Sequence, residues 1–202
     1  MREIGQVKLV QLQPAGLIID TPAGYLYDAS RRLEVDRLLI TELGIEATNE
    51  DGHHVLDIHH LSHPDKAYDD DDLVCIGFTP HYKAMRGQFG AHMVDGIAGE
   101  NIIIETDDEP WWPDLGQGIA IENQETGSRT LLDMISYASP CQEFSHFAMQ
   151  SQDKPLPAKE LKATLQFLDK GRRGFLLVMR KGQETAVVRP GDRIFTFGGD
   201  QL

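Results

Sequence analysis

Two cysteines, Cys75 and Cys141, are the soft nucleophiles of this 202-residue chain. Cys141 follows Pro140 where an apolar run ends, a place from which a side chain points into a cleft instead of a core. As a thiolate it would serve as nucleophile, sulfur carrier or soft metal ligand. The bland alternative for both is a packed thiol, since cysteine is among the most buried residue types. Cys75, inside "DLVCIGF", has the stronger claim to that role.

Other candidates are polar. "AGEN" (98–101) sets a glycine, Glu100 and Asn101 before an apolar run, offering amide donors and acceptors or simply a turn. Arg172 and Arg173 in "DKGRRGF" sit between glycines; forked guanidiniums suit phosphate or molybdate-type oxyanions, and otherwise form a solvated pair. His53, His54, His59, His60 and His63 crowd one polar stretch, yet their spacing matches neither H-E-x-x-H nor the paired cysteine–histidine zinc patterns. An exposed histidine-rich loop is expected there. The Walker lysine loop, the G-x-G-x-x-G turn and the G-x-S-x-G elbow are all missing from the sequence.

The elements that must position these residues read mainly as strands. "VKLVQL", "LIID" and "YLY" are short apolar runs set off by Pro14, Gly16 and "TPAG". "SRRLEVDRLLITELG" (30–44) suits either a helix or a strand, and 49–72 reads as a long surface loop. "TPHYKAMRGQFGAHMV" (79–94) suggests a helical or mobile connection, "EPWWPDLGQG" a loop. "GIAIE" and "SRTLLDMISYA" pair across "NQETG", which places Cys141 at a strand end. Pro157, the stripe Leu161, Leu165 and Leu168, and Gly171 mark a helix; "FLLVMR", "TAVV" and "RIFTF" close the chain as strands.

Composition bounds the rest. A net charge of −13 opposes phosphate backbones and anionic lipid, so neither nucleic acid nor membrane is expected as a partner, and an anionic ligand needs a local cluster of cations. Hydrophobic residues at 41% and a mean hydropathy of −0.33 fit an ordinary globular chain. With two cysteines and no 18-residue apolar run, a reducing, cytoplasmic setting and a single domain over 1–202 are expected.

Taken in order, "DIHHLSHPDKAY" (57–68), "GIAGENIII" (96–104), "ASPCQEF" (138–144) and "GRRGFLLVMRKGQ" (171–183) resemble the MOSC family, the molybdenum-cofactor-sulfurase C-terminal domain, over about 38–197. The family usually has glycine–aspartate before the strand leading to its cysteine, where this chain reads "LGQG" (115–118). The resemblance implies a mainly β fold with a few helices (α+β), a MOSC-type β-barrel. It implies a pocket gathering Cys141, Glu100, Asn101, Lys66, His59, Arg172 and Arg173, with Cys141 as sulfur carrier or molybdenum ligand. It also implies molybdenum cofactor (molybdopterin) as cofactor, a pyridoxal-phosphate-dependent sulfurase or a redox protein as partner, and in some members reduction of N-hydroxylated substrates. The competing expectation is a non-catalytic barrel that binds another anion or a protein.

Overall fold

The computed structural model describes residues 1–22, 24–48, 51–66 and 73–198. The aspartate run 69–72 lies outside them. In chain order the elements are β1 (Arg2–Leu12), β2 (Ile18–Thr21), β3 (Gly24–Tyr27), β4 (Leu33–Val35), β5 (Leu38–Thr41), β6 (Gly44–Thr48), β7 (His54–Leu56) and β8 (Val74–Phe78). Then come α1 (Thr79–Phe89), β9 (Ile102–Glu105), α2 (Trp112–Leu115), β10 (Gly118–Glu122), β11 (Arg129–Tyr137), α3 (Gln142–Ala148), α4 (Ala158–Leu168), β12 (Phe175–Met179), β13 (Ala186–Val188) and β14 (Arg193–Phe197).

Seven strands close a mixed barrel in the order β14-β10-β11-β12-β8-β9-β1, sealed by an antiparallel β1–β14 pairing that sets Arg2 opposite Thr196. The neighbours are antiparallel except β8 and β9, whose parallel register (Ile76 with Ile102) follows from the crossover through α1. Irregularities between Glu3 and Gly5 and between Val7 and Leu9 bend β1, so that its first half meets β14 and its last residues meet β4. A second sheet, β13-β5-β6-β7, and the hairpin β2-β3 complete the strands.

Period-two alternation sorts the side chains. Val74, Ile76 and Phe78 of β8, Ile102 and Ile104 of β9, and Phe175 and Leu177 of β12 point inward and merge with Val7, Val10, Ile119 and Ile194 into one apolar core. The opposite faces meet the helices, where Ile103 packs with Tyr82 and Met85 of α1, Phe144 and Ala148 of α3, and Leu168 of α4. Among the described residues, no helix is long and apolar enough to cross a membrane.

The mainly β barrel with helices is the architecture expected above, and the strands expected at 118–137 and 175–197 stand where their patterns put them. One open reading is settled as strand and others change. Segment 30–44 resolves as a 3-10 turn at Ala29–Arg31 followed by β4 and β5, because Leu38 and Ile40 bury together on one strand face. Segment 49–72 is not wholly a surface loop. β7 pairs with β6 there, and Asp57 and His60 are buried. The loop expected around Trp111 holds the short α2, and α3 directly follows Cys141, where no helix was expected.

Candidate functional site

Cys141 ends the irregular segment that follows β11 and caps α3, where its Sγ accepts a hydrogen bond from the Phe144 backbone N–H at 3.4 Å. It lines a cavity of about 250 Å³ on the outer wall of the barrel, together with Gln13, Tyr27, His59, Cys75 and Arg173. Leu17 and Ile18 at the start of the β2-β3 hairpin cover one side, and Leu176 closes another.

Arg173 is the cation of this cavity. Its Nη1 donates to the Ser139 carbonyl at 3.1 Å and reaches Cys141 Sγ at 3.5 Å, while Nη2 donates to the Ala98 carbonyl at 3.4 Å. The guanidinium lies 4.4 Å over the Phe144 ring. Burial works against its charge, but its acidic neighbours Cys141, Tyr27 and Glu100 more than offset this, so its pKa is raised from the ordinary guanidinium value. A cation held this way is a fixed anchor for an anionic group.

Arg172 turns the other way. Its Nη1 donates to the Phe167 carbonyl at 2.6 Å, Nη2 lies 3.7 Å from Glu109, and the guanidinium stacks on Phe167 and Trp111. The expected pair of anion-binding arginines is thus parted: both sit in the turn closed by the Gly174 N–H to the Gly171 carbonyl, and their side chains leave it towards different partners.

Glu100 and Asn101 stand behind the cavity wall. Glu100 is fully buried (0% exposed); its Oε2 accepts the Tyr82 hydroxyl, and its Oε1 has no partner. Burial raises its pKa to about 7, against the pull of the Tyr82 hydrogen bond. Gly99 precedes it at φ 100°, and a Cβ there would fall 2.9 Å from Gln13 Nε2, so the turn needs glycine for both backbone and space. Asn101 holds Cys75 by two bonds, accepting its N–H on Oδ1 at 2.9 Å and donating its own N–H to the Cys75 carbonyl at 2.8 Å.

The Asn101 Nδ2 donates to Asp57 Oδ2 at 2.8 Å, and Asp57 Oδ1 lies 2.7 Å from His59 Nδ1. A buried polar chain therefore ties Cys75 to His59, two residues of the cavity lining. Lys66 is absent from that lining; its backbone N–H donates to the His63 carbonyl in a turn. The other histidines disperse: His54 pairs with Glu46, His63 reaches the Pro14 carbonyl, and His60 is buried. Among the described residues, no three His, Cys, Asp or Glu side chains gather as a metal site would require.

Cys75 differs from its expected place. Between inward-facing Val74 and Ile76, alternation sends it outward to the cavity, opposite Leu176. The motif resemblance also passed over Gln13, Leu17 and Tyr27, for which the amino-terminal runs carry no distinguishing signal.

No protein-family profile and no curated protein matches the chain. Solved structures similar to it include the YuaD protein from Bacillus subtilis, at 16% identity and TM-score 0.52 over 95% of this chain and 97% of that one. A protein described as hypothetical matches at 16% identity and TM-score 0.52, over 95% of this chain and 69% of that one. YiiM from Geobacillus stearothermophilus stands at 14% identity and TM-score 0.48, over 97% of this chain and 74% of that one. The first two likenesses show the shared fold alone.

Proposed function

We propose that this is a MOSC-type pocket protein whose Cys141 thiolate carries sulfur as a persulfide or ligates the molybdenum of a bound molybdenum cofactor. The observation that supports this is Cys141 Sγ at a cavity rim, accepting N–H donors from Phe144 and Arg173. The thiolate is the form that attacks sulfur or binds soft metal, and both donors are placed to hold the sulfur in position.

As a carrier, the thiolate attacks the outer sulfur of a donor persulfide. A sulfur–sulfur bond forms on Cys141, the donor's breaks, and the donor leaves as a thiolate. Arg173 holds the anionic end of the incoming group. Leu17, Ile18 and Leu176 give the cavity around the reacting sulfur an apolar lining. The donor set also fits one end of the cofactor. Cys141 is a soft ligand and Arg173 an anchor for an oxyanion, while Arg172, bound to Phe167 and Glu109, adds no second cation. When bound, the cofactor would supply two-electron redox chemistry at molybdenum.

The test is to load wild type and Cys141→Ser with a small persulfide and measure cyanide-releasable sulfur, and to assay both chains for molybdenum after production in cells that make the cofactor. Wild type should take up sulfur or metal, and Cys141→Ser should take up neither. Equal loading of both chains would overturn the proposal, and no loading of either would favour a non-catalytic anion-binding barrel.

A further inference from the structure

Cys75 has the geometry of a partner thiol. It is the half-buried position of a strand whose other residues are buried, and neither it nor Cys141 is in a disulfide. Both side chains line the same cavity of about 250 Å³. A Cβ on Gly174 would fall 2.9 Å from Cys75 Sγ, so that sulfur packs on Gly174, while the guanidinium of the preceding residue, Arg173, touches Cys141 Sγ at 3.5 Å. The two sulfurs thus flank one dipeptide.

The two thiols are held differently. Cys75 is fixed by β8, which is hydrogen-bonded to β12 on one side and β9 on the other, and by the two bonds to Asn101. Cys141 ends the irregular segment 138–141. Approach of the sulfurs therefore falls to that segment and not to the sheet.

We propose that Cys75 is the resolving thiol of this pocket, converting sulfur carried on Cys141 into released sulfide. The step rests on the reading of Cys141 as a persulfide carrier. Cys75 thiolate attacks Cys141 Sγ, the bond from Cys141 Sγ to the outer sulfur breaks, and that sulfur leaves with the electron pair as hydrosulfide. A Cys75–Cys141 disulfide remains: the two cysteine sulfurs are together oxidised by two electrons, and the sulfane sulfur is reduced to sulfide. The Cys75 proton goes to water or to the imidazole of His59, a residue of the same cavity lining whose Nδ1 lies 2.7 Å from Asp57 Oδ1, and a proton returns to the hydrosulfide. A small dithiol reductant reopens the disulfide and becomes a disulfide itself. The substrate class is a low-molecular-weight or protein persulfide, and the product is hydrogen sulfide.

Two measurements test this. Reduced wild type is oxidised with diamide and mapped by mass spectrometry; an intramolecular Cys75–Cys141 link that forms at a rate independent of protein concentration is expected, and exclusively intermolecular links would overturn the proposal. Wild type and Cys75→Ser are then loaded with persulfide, and sulfide release is followed. The persulfide should persist about tenfold longer or more in Cys75→Ser. Sulfur uptake with equal lifetimes in the two chains defeats the resolving role alone. No uptake in either chain defeats the carrier reading and this step with it, whatever diamide yields.

Discussion

The inside of the barrel and the layer between its outer wall and the helices are made from the same strands but from different chemistry. Along β8, Val74 and Ile76 go inward while Cys75 goes outward; along β12, Phe175 goes inward while Leu176 goes outward. The inward faces of β8, β9 and β12 carry hydrophobic side chains, whereas the outer layer buries Glu100, Asn101, Asp57 and the Tyr82 hydroxyl. Filling a closed barrel asks only for volume, which Val, Ile, Leu and Phe supply. Burying polar groups demands partners, and those partners fix a site. The lesson is that stability and chemistry here are separated by one residue along a strand.

The largest expected effect breaks the inner region. Phe175→Ala removes a fully buried ring beside Phe78 and should cost about 3–5 kcal/mol in chemical denaturation, while protein that remains folded still loads sulfur on Cys141. A loss below 1 kcal/mol, on the order of a surface change, would show that the interior does not carry the fold.

The next effect lies in the outer layer and depends on pH. Glu100 has its pKa raised from the ordinary carboxylate value of 4.5 to about 7 by burial, beside Tyr82, Arg173 and Arg32. Between those values the folded chain keeps a proton that the unfolded chain has lost. Stability contributed by the neutral form is therefore full below about 4.5 and falls as pH rises through about 7. The span corresponds to about 3 kcal/mol. Glu100→Gln, which can still accept the Tyr82 hydroxyl, should flatten that slope between pH 5 and 8 in thermal melts. An unchanged slope would place the titration elsewhere.

The smallest effect separates two neighbours. Arg173→Ala should weaken molybdate binding roughly tenfold, or about 1.5 kcal/mol, as loss of one charge-assisted hydrogen bond does. Arg172→Ala, whose guanidinium is spent on Phe167 and Glu109, should leave that affinity unchanged in titration calorimetry. Equal losses would mean that both arginines serve the pocket.

These contrasts were unevenly legible in the sequence. The strands at "FLLVM", "TAVV" and "RIFTF" and the helix at Leu161, Leu165 and Leu168 declare themselves by period and by flanking turns. The place of Cys141 just beyond a strand end is legible from the apolar run and proline that precede it. Short α3 is not, because its seven residues carry too little periodicity; burial of Phe144 and Ala148 against the barrel makes the helix. Asp57 and His60 look like members of a polar loop until Asn101 and Gln13, distant in sequence, supply the partners of Asp57. For Arg172 and Arg173 adjacency reads as a joint role, and only the turn closed by the Gly174 N–H to the Gly171 carbonyl shows that the two side chains part. Strand alternation, applied to "LVCIGF", would have put Cys75 on the cavity side.

The β1–β14 seam has a consequence for how the chain is made. Ribosomal synthesis delivers β1 first and β14 long after it, and β14 sits between β1 and β10. Until residue 197 has emerged, the nascent sheet keeps two open edges, each a template for pairing with another chain. The cavity has no such wait, because Gln13, Cys75, Cys141 and Leu176 all precede the last strand. A growing chain therefore delivers Cys75 and Cys141 before the strand that shuts its barrel.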